Sequence, residues 1–303
     1  MPSPKANERP YDDSFSVQME ELNRFLMGRN LPFGLHIVAT PIGNLGDLSP
    51  RVAETLRNAD RILAEDTRVT AKLLAHIGAK VPMTRYDDHS SDVERERIIA
   101  RLGEEAIALV SDAGTPLISD PGFKLVRGAR LAGHQVHTVP GPSAAIAALT
   151  LAGLPTDRFL FLGFLPAKSK ARNDTIAEVA AVRASLIFYE SGPRLGATLA
   201  ALSSQLGQRD AAIAREISKF HEECVTGSLH ELAERYSQSE PKGEIVIVVG
   251  PPSETSGPSE AALASALEEA LARLSPSRAA AEVAKKLGVP RKLAYALALE
   301  RSK

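Results

Sequence analysis

Four short, largely apolar runs at 35–39, 61–64, 106–110 and 135–139 alternate with amphipathic stretches, and this alternation restricts the fold more than any other feature of the chain. Runs of four or five residues have the length of strands, whereas the stretches between them repeat their apolar residues at helical spacing. Alternating strands and helices lead to an α/β fold with a mostly parallel sheet, covered by helices on both faces. The helix boundaries are legible too. Ser49 ahead of Pro50 supplies a capping hydroxyl and a proline at the first helical position, with Val52 and Leu56 on one stripe. Ser91 and Glu94 form a capping-box pair ahead of Ile98, Ile99 and Leu102. Gly78, Gly133 and Gly153 stand where helices should end.

A second α/β set begins near Arg158, with strands expected at 159–162, 185–189, 211–214 and 244–249 and helices between them. Leu154-Pro155-Thr156 reads as a linker, and the Pro/Ser/Gly stretch 251–258 sets off a helical tail. The expected organisation is an extension over 1–33 with a short helix around 15–26, α/β domains over 34–154 and 155–252, and a tail over 258–303. Within the tail, residues 276–297 read as a helix, a tight turn at Gly288 and a second helix, as in a helix-turn-helix. Residues 273–303 hold eight Lys/Arg against two Asp/Glu. Two readings stand: a helical hairpin packed on the second domain with a solvated charged face, or a nucleic-acid contact.

Composition narrows the function. A chain of 303 residues, 44% hydrophobic and 24% charged, is ordinary for an enzyme of two domains. With a net charge of −1, any nucleic-acid contact must come from local basic patches. The single cysteine, Cys224, excludes an internal disulfide framework and suits a reducing cytoplasm. No apolar run reaches the length of a membrane span, and residues 1–13 lack the apolar core of a signal peptide. No G-x-x-x-x-G-K-[ST] loop occurs and the turn at 41–46 does not match G-x-G-x-x-G, which disfavours nucleoside triphosphates and nicotinamide cofactors. The seven His are scattered without zinc spacing, so no metal is expected, and His36 and His137 fall on strands where structural roles suit them.

The chemistry concentrates in loops. The twelve-residue run from Ser111 to Gly122 carries two Gly, two Pro and two Asp directly after a strand, which makes a stiff loop whose backbone can approach a ligand closely. Gly-Pro punctuation also follows three other expected strands, at 39–44, 139–143 and 163–166. In open α/β sheets ligands bind outside the carboxyl ends of strands, where such loops would converge into a composite pocket. Backbone groups, small residues (Gly114, Ala144, Ala145) and a few carboxylates suit a zwitterionic, partly cationic ligand with a flat adenine-like group. Pro41, Pro116 and Pro140 would hold the loops in place, and Asp112 could offset a positive sulfur.

The segments 38–47 (VATPIGNLGD), 64–68 (AEDTR), 110–122, 140–143 (PGPS), 163–166 (GFLP) and 188–191 (FYES) together resemble the tetrapyrrole-methylase superfamily. Within it they resemble the ribosomal RNA small subunit methyltransferase I family, over residues 35 to about 250, and the basic tail is similar to that family's C-terminal segment. The resemblance implies an S-adenosylmethionine-dependent enzyme that methylates the ribose 2′-hydroxyl of a decoding-site cytidine in 16S rRNA, met within the 30S subunit. It further implies a homodimer of two-domain subunits, with the donor in the cleft between domains. Donor contacts implied by the matching motifs are Pro41 and Gly43, then Asp112, Ala113, Gly114, Ile118 and Ser119, then Ser143 and Ala144, with Leu165 and Gly243.

A ribose hydroxyl is a poor nucleophile at neutral pH, so a proton acceptor is needed beside it. Candidates are Glu65, Asp66, Asp87 and His89; Asp66 comes first because Glu65-Asp66 directly follow a strand, although Asp66 could instead cap the next helix or pair with Arg68. Positive charge for RNA phosphates is expected from Lys168, Lys170 and Arg172, and from Arg215 and Lys219, with a solvated helix start as the alternative for the first three. The rivals are a carbon methyltransferase acting on a tetrapyrrole and a non-enzymatic RNA-binding protein that keeps a degenerate pocket.

Overall fold

The computed structural model describes residues 31–87, 89–252, 260–287 and 291–301. The expected extension, with its helix around 15–26, and the Gly288 turn fall outside the described residues, apart from positions 31–33. The chain divides into two compact units, one of Met1–Ala148 with Ala214–Glu223, the other of Leu149–Ile213 with Cys224–Lys303.

The first unit is built on β1 (Gly34–Val38), β2 (Arg61–Ala64), β3 (Met83–Arg85), β4 (Ala106–Val110) and β5 (Val136–Val139), in the spatial order β3-β2-β4-β1-β5. Every pairing is parallel. The helices are α1 (Pro50–Asn58), α2 (Thr67–His76), α3 (Asp92–Arg101), α4 (Phe123–Leu131) and α5 (Ala144–Leu151), the last running into the second unit. Alternation along the strands splits the core into two layers. Ile62, Ala64, Ala108 and Val110 pack with Val52 and Leu56 of α1 and Leu73 and Leu74 of α2. Leu63, Ile107 and Leu109 pack with Ile98 of α3 and Leu102 at its C-terminal cap, and with Leu125 and Ala129 of α4. Leu63, Ile107 and Leu109 are fully buried, each worth about 1.5–3 kcal/mol of apolar transfer.

The expected boundaries hold. Ser49 Oγ accepts the Val52 N–H at 3.2 Å, and Ser91 and Glu94 form a reciprocal capping box. Gly78 and Gly133 take positive φ beyond α2 and α4, as does Gly153 beyond α5. β3 was not foreseen: three residues at the sheet edge, half-exposed, leave no apolar run to read. His36 and His137 lie opposite each other on β1 and β5, their rings stacked with centroids 4.7 Å apart.

A second sheet is built from β6 (Phe159–Phe164), β7 (Ser185–Ser191), β8 (Asp210–Arg215), β9 (Glu223–Ser228) and β10 (Glu244–Val249), ordered β6-β7-β10-β8-β9, and all of it but Ala214, Arg215 and Glu223 belongs to the second unit. β6 and β7 are parallel, whereas β7 and β10 are antiparallel, so this sheet is mixed. α6 (Ser169–Val179), α7 (Gly192–Leu206) and α8 (Leu229–Arg235) accompany it, with Leu195, Leu199 and Leu202 of α7 fully buried against Phe188 and Ile247. β9 was also missed, because Glu-Cys-Val-Thr-Gly-Ser offers neither an apolar run nor a buried face.

The tail forms α9 (Glu260–Leu271), α10 (Pro276–Leu287) and α11 (Arg291–Arg301). Leu263, Leu267, Ala279, Ala280, Val283, Ala294 and Ala298 make a core cluster composed of tail residues alone. The expected hairpin therefore has a third helix, and the three bury their apolar faces on one another.

Candidate functional site

Because the first sheet is parallel, the loops after β1, β2, β4 and β5 leave from one edge, and side chains of the sequence stitch them together. Thr40 and Gly114 exchange main-chain hydrogen bonds (2.8 and 3.1 Å), joining the loop after β1 to the long loop after β4. Thr40 Oγ1 adds a bond to the Ser111 carbonyl. Thr115 Oγ1 donates to the Pro142 carbonyl at 2.9 Å, tying the long loop to the one after β5. Asp112 Oδ1 accepts the Asp66 N–H at 3.0 Å, tying it to the loop after β2. The threonines were not singled out from the sequence; their signal is only that each stands beside a Gly-Pro turn.

Backbone conformation makes this edge close-fitting. Gly114 has φ +82, and a Cβ there would sit 3.2 Å from Ile42 Cγ2. Leu117 and Ser119 adopt φ of 74 and 63, a left-handed conformation costly for residues with side chains and held only by a surrounding that fixes it. Ala113, Ile118 and Ser119 are exposed, while Gly114 and Pro116 are buried beneath them. Pro41, Ser143 and Ala144 are half-buried, and Gly43 and Asp112 are exposed. The structure thus gathers nine of the expected donor contacts (Pro41, Gly43, Asp112, Ala113, Gly114, Ile118, Ser119, Ser143, Ala144) on the loops of one sheet edge and at the start of α5.

The residue set fits the expected donor. It offers exposed main-chain groups on stiff loops, no bulky side chain at Gly43, Ala113, Gly114 or Ala144, and one carboxylate, Asp112, whose Oδ2 makes no hydrogen bond among the described residues. Leu165 and Gly243 belong to the second unit, where Leu165 is buried and Gly243 has φ +100.

The carboxylates divide by environment. Asp66 caps α2, its Oδ1 accepting the Arg68 N–H at 2.8 Å, and both its oxygens meet the Arg68 guanidinium. The Arg68 side chain holds the Asp66 carboxyl well below the usual carboxylate range, which makes it a weak proton acceptor at neutral pH. The geometry therefore favours the capping role over the expected base. Glu65, beside it, is half-buried at the same edge. Asp87 is taken up by a turn, accepting the His89 N–H at 2.9 Å, and by an ion pair with Arg85 at 3.0 Å.

The basic residues divide as well. Lys168 and Lys170 are exposed at the start of α6, as expected, but Arg172 is half-buried with its Nε enclosed. Arg215 pairs with Glu223 at 2.9 Å and Lys219 with Glu216 at 3.0 Å. The stem of Lys219 lies over Gly43, where a Cβ would come within 2.5 Å of Lys219 Cε, and the neighbouring Ser218 hydroxyl bonds Asp47. Both cations are thus ion-paired with glutamates of the segment 214–223, and contact of either with RNA would require its pair to open.

A family model of tetrapyrrole (corrin/porphyrin) methylases matches residues 34–233, and one of the RsmI C-terminal HTH domain matches residues 257–302. Ribosomal RNA small subunit methyltransferase I of Erythrobacter litoralis is 55% identical over 267 residues, covering 88% of this chain and 95% of the relative. The protein of the same name from Xylella fastidiosa (strain Temecula1) is 49% identical over 274 residues, covering 87% and 98%. Among solved structures, diphthine synthase aligns with a TM-score of 0.57 at 17% identity, over 71% of this chain and 89% of that one. Uroporphyrin-III-C-methyltransferase of Thermus thermophilus aligns with a TM-score of 0.52 at 20% identity, over 73% and 94%, a likeness of fold alone. With the family model spanning residues 34–233 and its relatives matched almost end to end, the chain belongs to the tetrapyrrole methylase family and, within it, to the ribosomal RNA small subunit methyltransferase I family.

Proposed function

We propose that this protein transfers a methyl group from S-adenosylmethionine to the ribose 2′-hydroxyl of a decoding-site cytidine in 16S rRNA. The observation that supports this reading best is the stitched edge of the first sheet, where Thr40–Gly114, Thr115–Pro142 and Asp112–Asp66 lock four loops into one cradle. Bound there, S-adenosylmethionine supplies an electrophilic methyl group on a positive sulfur. The chain's own contribution is positional, since holding reactants in line provides much of such a rate. Main-chain groups of Ala113, Gly114, Ser143 and Ala144 orient the nucleoside, and Asp112 sets a negative charge near the sulfonium. Asp66 is engaged by Arg68, so the role of proton acceptor falls to Glu65.

For the RNA, Lys168 and Lys170 supply exposed positive charge. The tail adds Arg278, Lys285, Lys286, Arg291 and Lys292, which form no ion pair among the described residues, whereas Arg273 and Arg301 pair with Glu282 and Glu268. This favours the nucleic-acid reading of the tail. The same reading takes the assembled 30S subunit as substrate, a homodimer as the working form and the cytoplasm as the location. Incubation of unmodified small subunits with radiolabelled donor, followed by mapping of the label, tests the proposal. Label on a single cytidine ribose supports it; label on a base, or transfer only to a tetrapyrrole, refutes it.

A further inference from the structure

Where α7 begins, the two loops of the second unit that are expected to touch the donor are held by one structure. Glu190, next to last in β7, has a side chain with no exposed surface. Its Oε1 accepts the Ser191 N–H at 2.8 Å and its Oε2 the Thr198 hydroxyl at 2.6 Å. Arg194 Nε lies 3.3 Å from Oε1, and its Nη2 donates to the Leu165 carbonyl. One residue before the helix's proline, a Cβ at Gly192 would fall 1.8 Å from the Pro241 carbonyl oxygen, so the segment leading into Gly243 rests directly on this turn. The first turn of α7 therefore touches the Leu165 loop through Arg194 and the Pro241–Gly243 loop through Gly192.

A buried carboxylate with both oxygens engaged has one stable arrangement, and a planar guanidinium paired with it is fixed in turn. We propose that Glu190 and Arg194 are positioning residues for the methyl donor, setting the Leu165 carbonyl at a defined place in its binding site. This rests on the proposed function and on the family resemblance, which implies donor contacts at Leu165 and Gly243. Lysine at position 194 would keep a positive charge beside Glu190 but has no fork to span carboxylate and carbonyl together.

The test compares Arg194→Lys with Leu202→Ala, a cavity variant further along the same helix, by calorimetry with S-adenosylmethionine, thermal melting, and donor KM and kcat on unmodified small subunits. Arg194→Lys should raise donor Kd and KM about tenfold and leave kcat near wild type. Leu202→Ala should lower the melting temperature and leave donor Kd unchanged. An unaltered donor Kd in Arg194→Lys, or an equal loss in Leu202→Ala, overturns the proposal. Should Arg194→Lys not fold, Glu190→Gln takes its place, and a wild-type donor Kd in that variant has the same consequence. A wild-type protein that does not bind the donor refutes the proposed function, and this inference with it, which is a different result from a binding wild type with indifferent variants.

Discussion

Asp112 and Asp66, 46 positions apart in sequence, meet where Oδ1 of the first accepts the main-chain N–H of the second at 3.0 Å. The bond locks the long loop after β4 to the turn that starts α2, and it leaves the second Asp112 oxygen without a hydrogen bond among the described residues. Two substitutions separate these duties. Asp112→Asn keeps an acceptor for the Asp66 N–H and loses the charge; Asp112→Ala loses both. Calorimetry with S-adenosylmethionine should show affinity falling in both, by about tenfold for Asn and more for Ala. Equal, wild-type affinities would remove Asp112 from the donor site.

The proposed function gives the neighbours Asp66 and Glu65 separate tasks. Asp66→Asn retains a side-chain oxygen for the cap of α2 but loses the exposed ion pair with Arg68, so at neutral pH it should cost a little stability and keep turnover within a few-fold of wild type. Glu65→Gln should lose most turnover while donor affinity is kept. Single-turnover assays on unmodified small subunits decide between them, and the reverse pattern would return the base role to Asp66. Because its carboxyl is depressed in the fold, Asp66 stabilises the protein above the unfolded carboxylate pKa and loses that contribution as pH falls through and below it.

Exposed and engaged cations should differ in salt dependence. Replacing Lys168 and Lys170 by Ala should lower the slope of log affinity for RNA against log salt by about 1.5, the effect of two lost phosphate contacts. Arg215→Ala and Lys219→Ala should leave the slope unaltered, since both side chains are ion-paired within their own unit. A slope reduced equally by all four would show that those ion pairs open on binding.

His36 is buried against His137, donates its Nε2–H to the Pro32 carbonyl at 2.8 Å, and lies within reach of the Arg51 charge. Burial, opposed by the Pro32 contact, lowers its pKa below 6.5. The unfolded chain therefore binds a proton that the fold excludes. Stability from this group is complete above the unfolded value and declines as pH falls below it, at up to about 1.4 kcal/mol per pH unit. Urea unfolding between pH 5 and 8 should show this decline, flattened in His36→Leu. An unchanged slope in that variant would place the proton elsewhere.

What the amino-acid order determined by itself is local. Apolar runs of strand length, the Ser49 and Ser91 caps and the glycines at 78, 133 and 153 fix where elements begin and end, because each acts within a few residues of itself. The loops rich in glycine and proline also declared themselves, and with them the family. Tertiary structure decided the rest. Whether Asp66 is a base or a cap depends on the Arg68 rotamer; whether Lys219 meets RNA depends on Glu216 and Gly43; and the edge strands β3 and β9 exist only because a neighbouring strand supplies their partners. Such roles are set by groups brought close by packing, and a charge or a short polar run carries no local mark of which partner it will find.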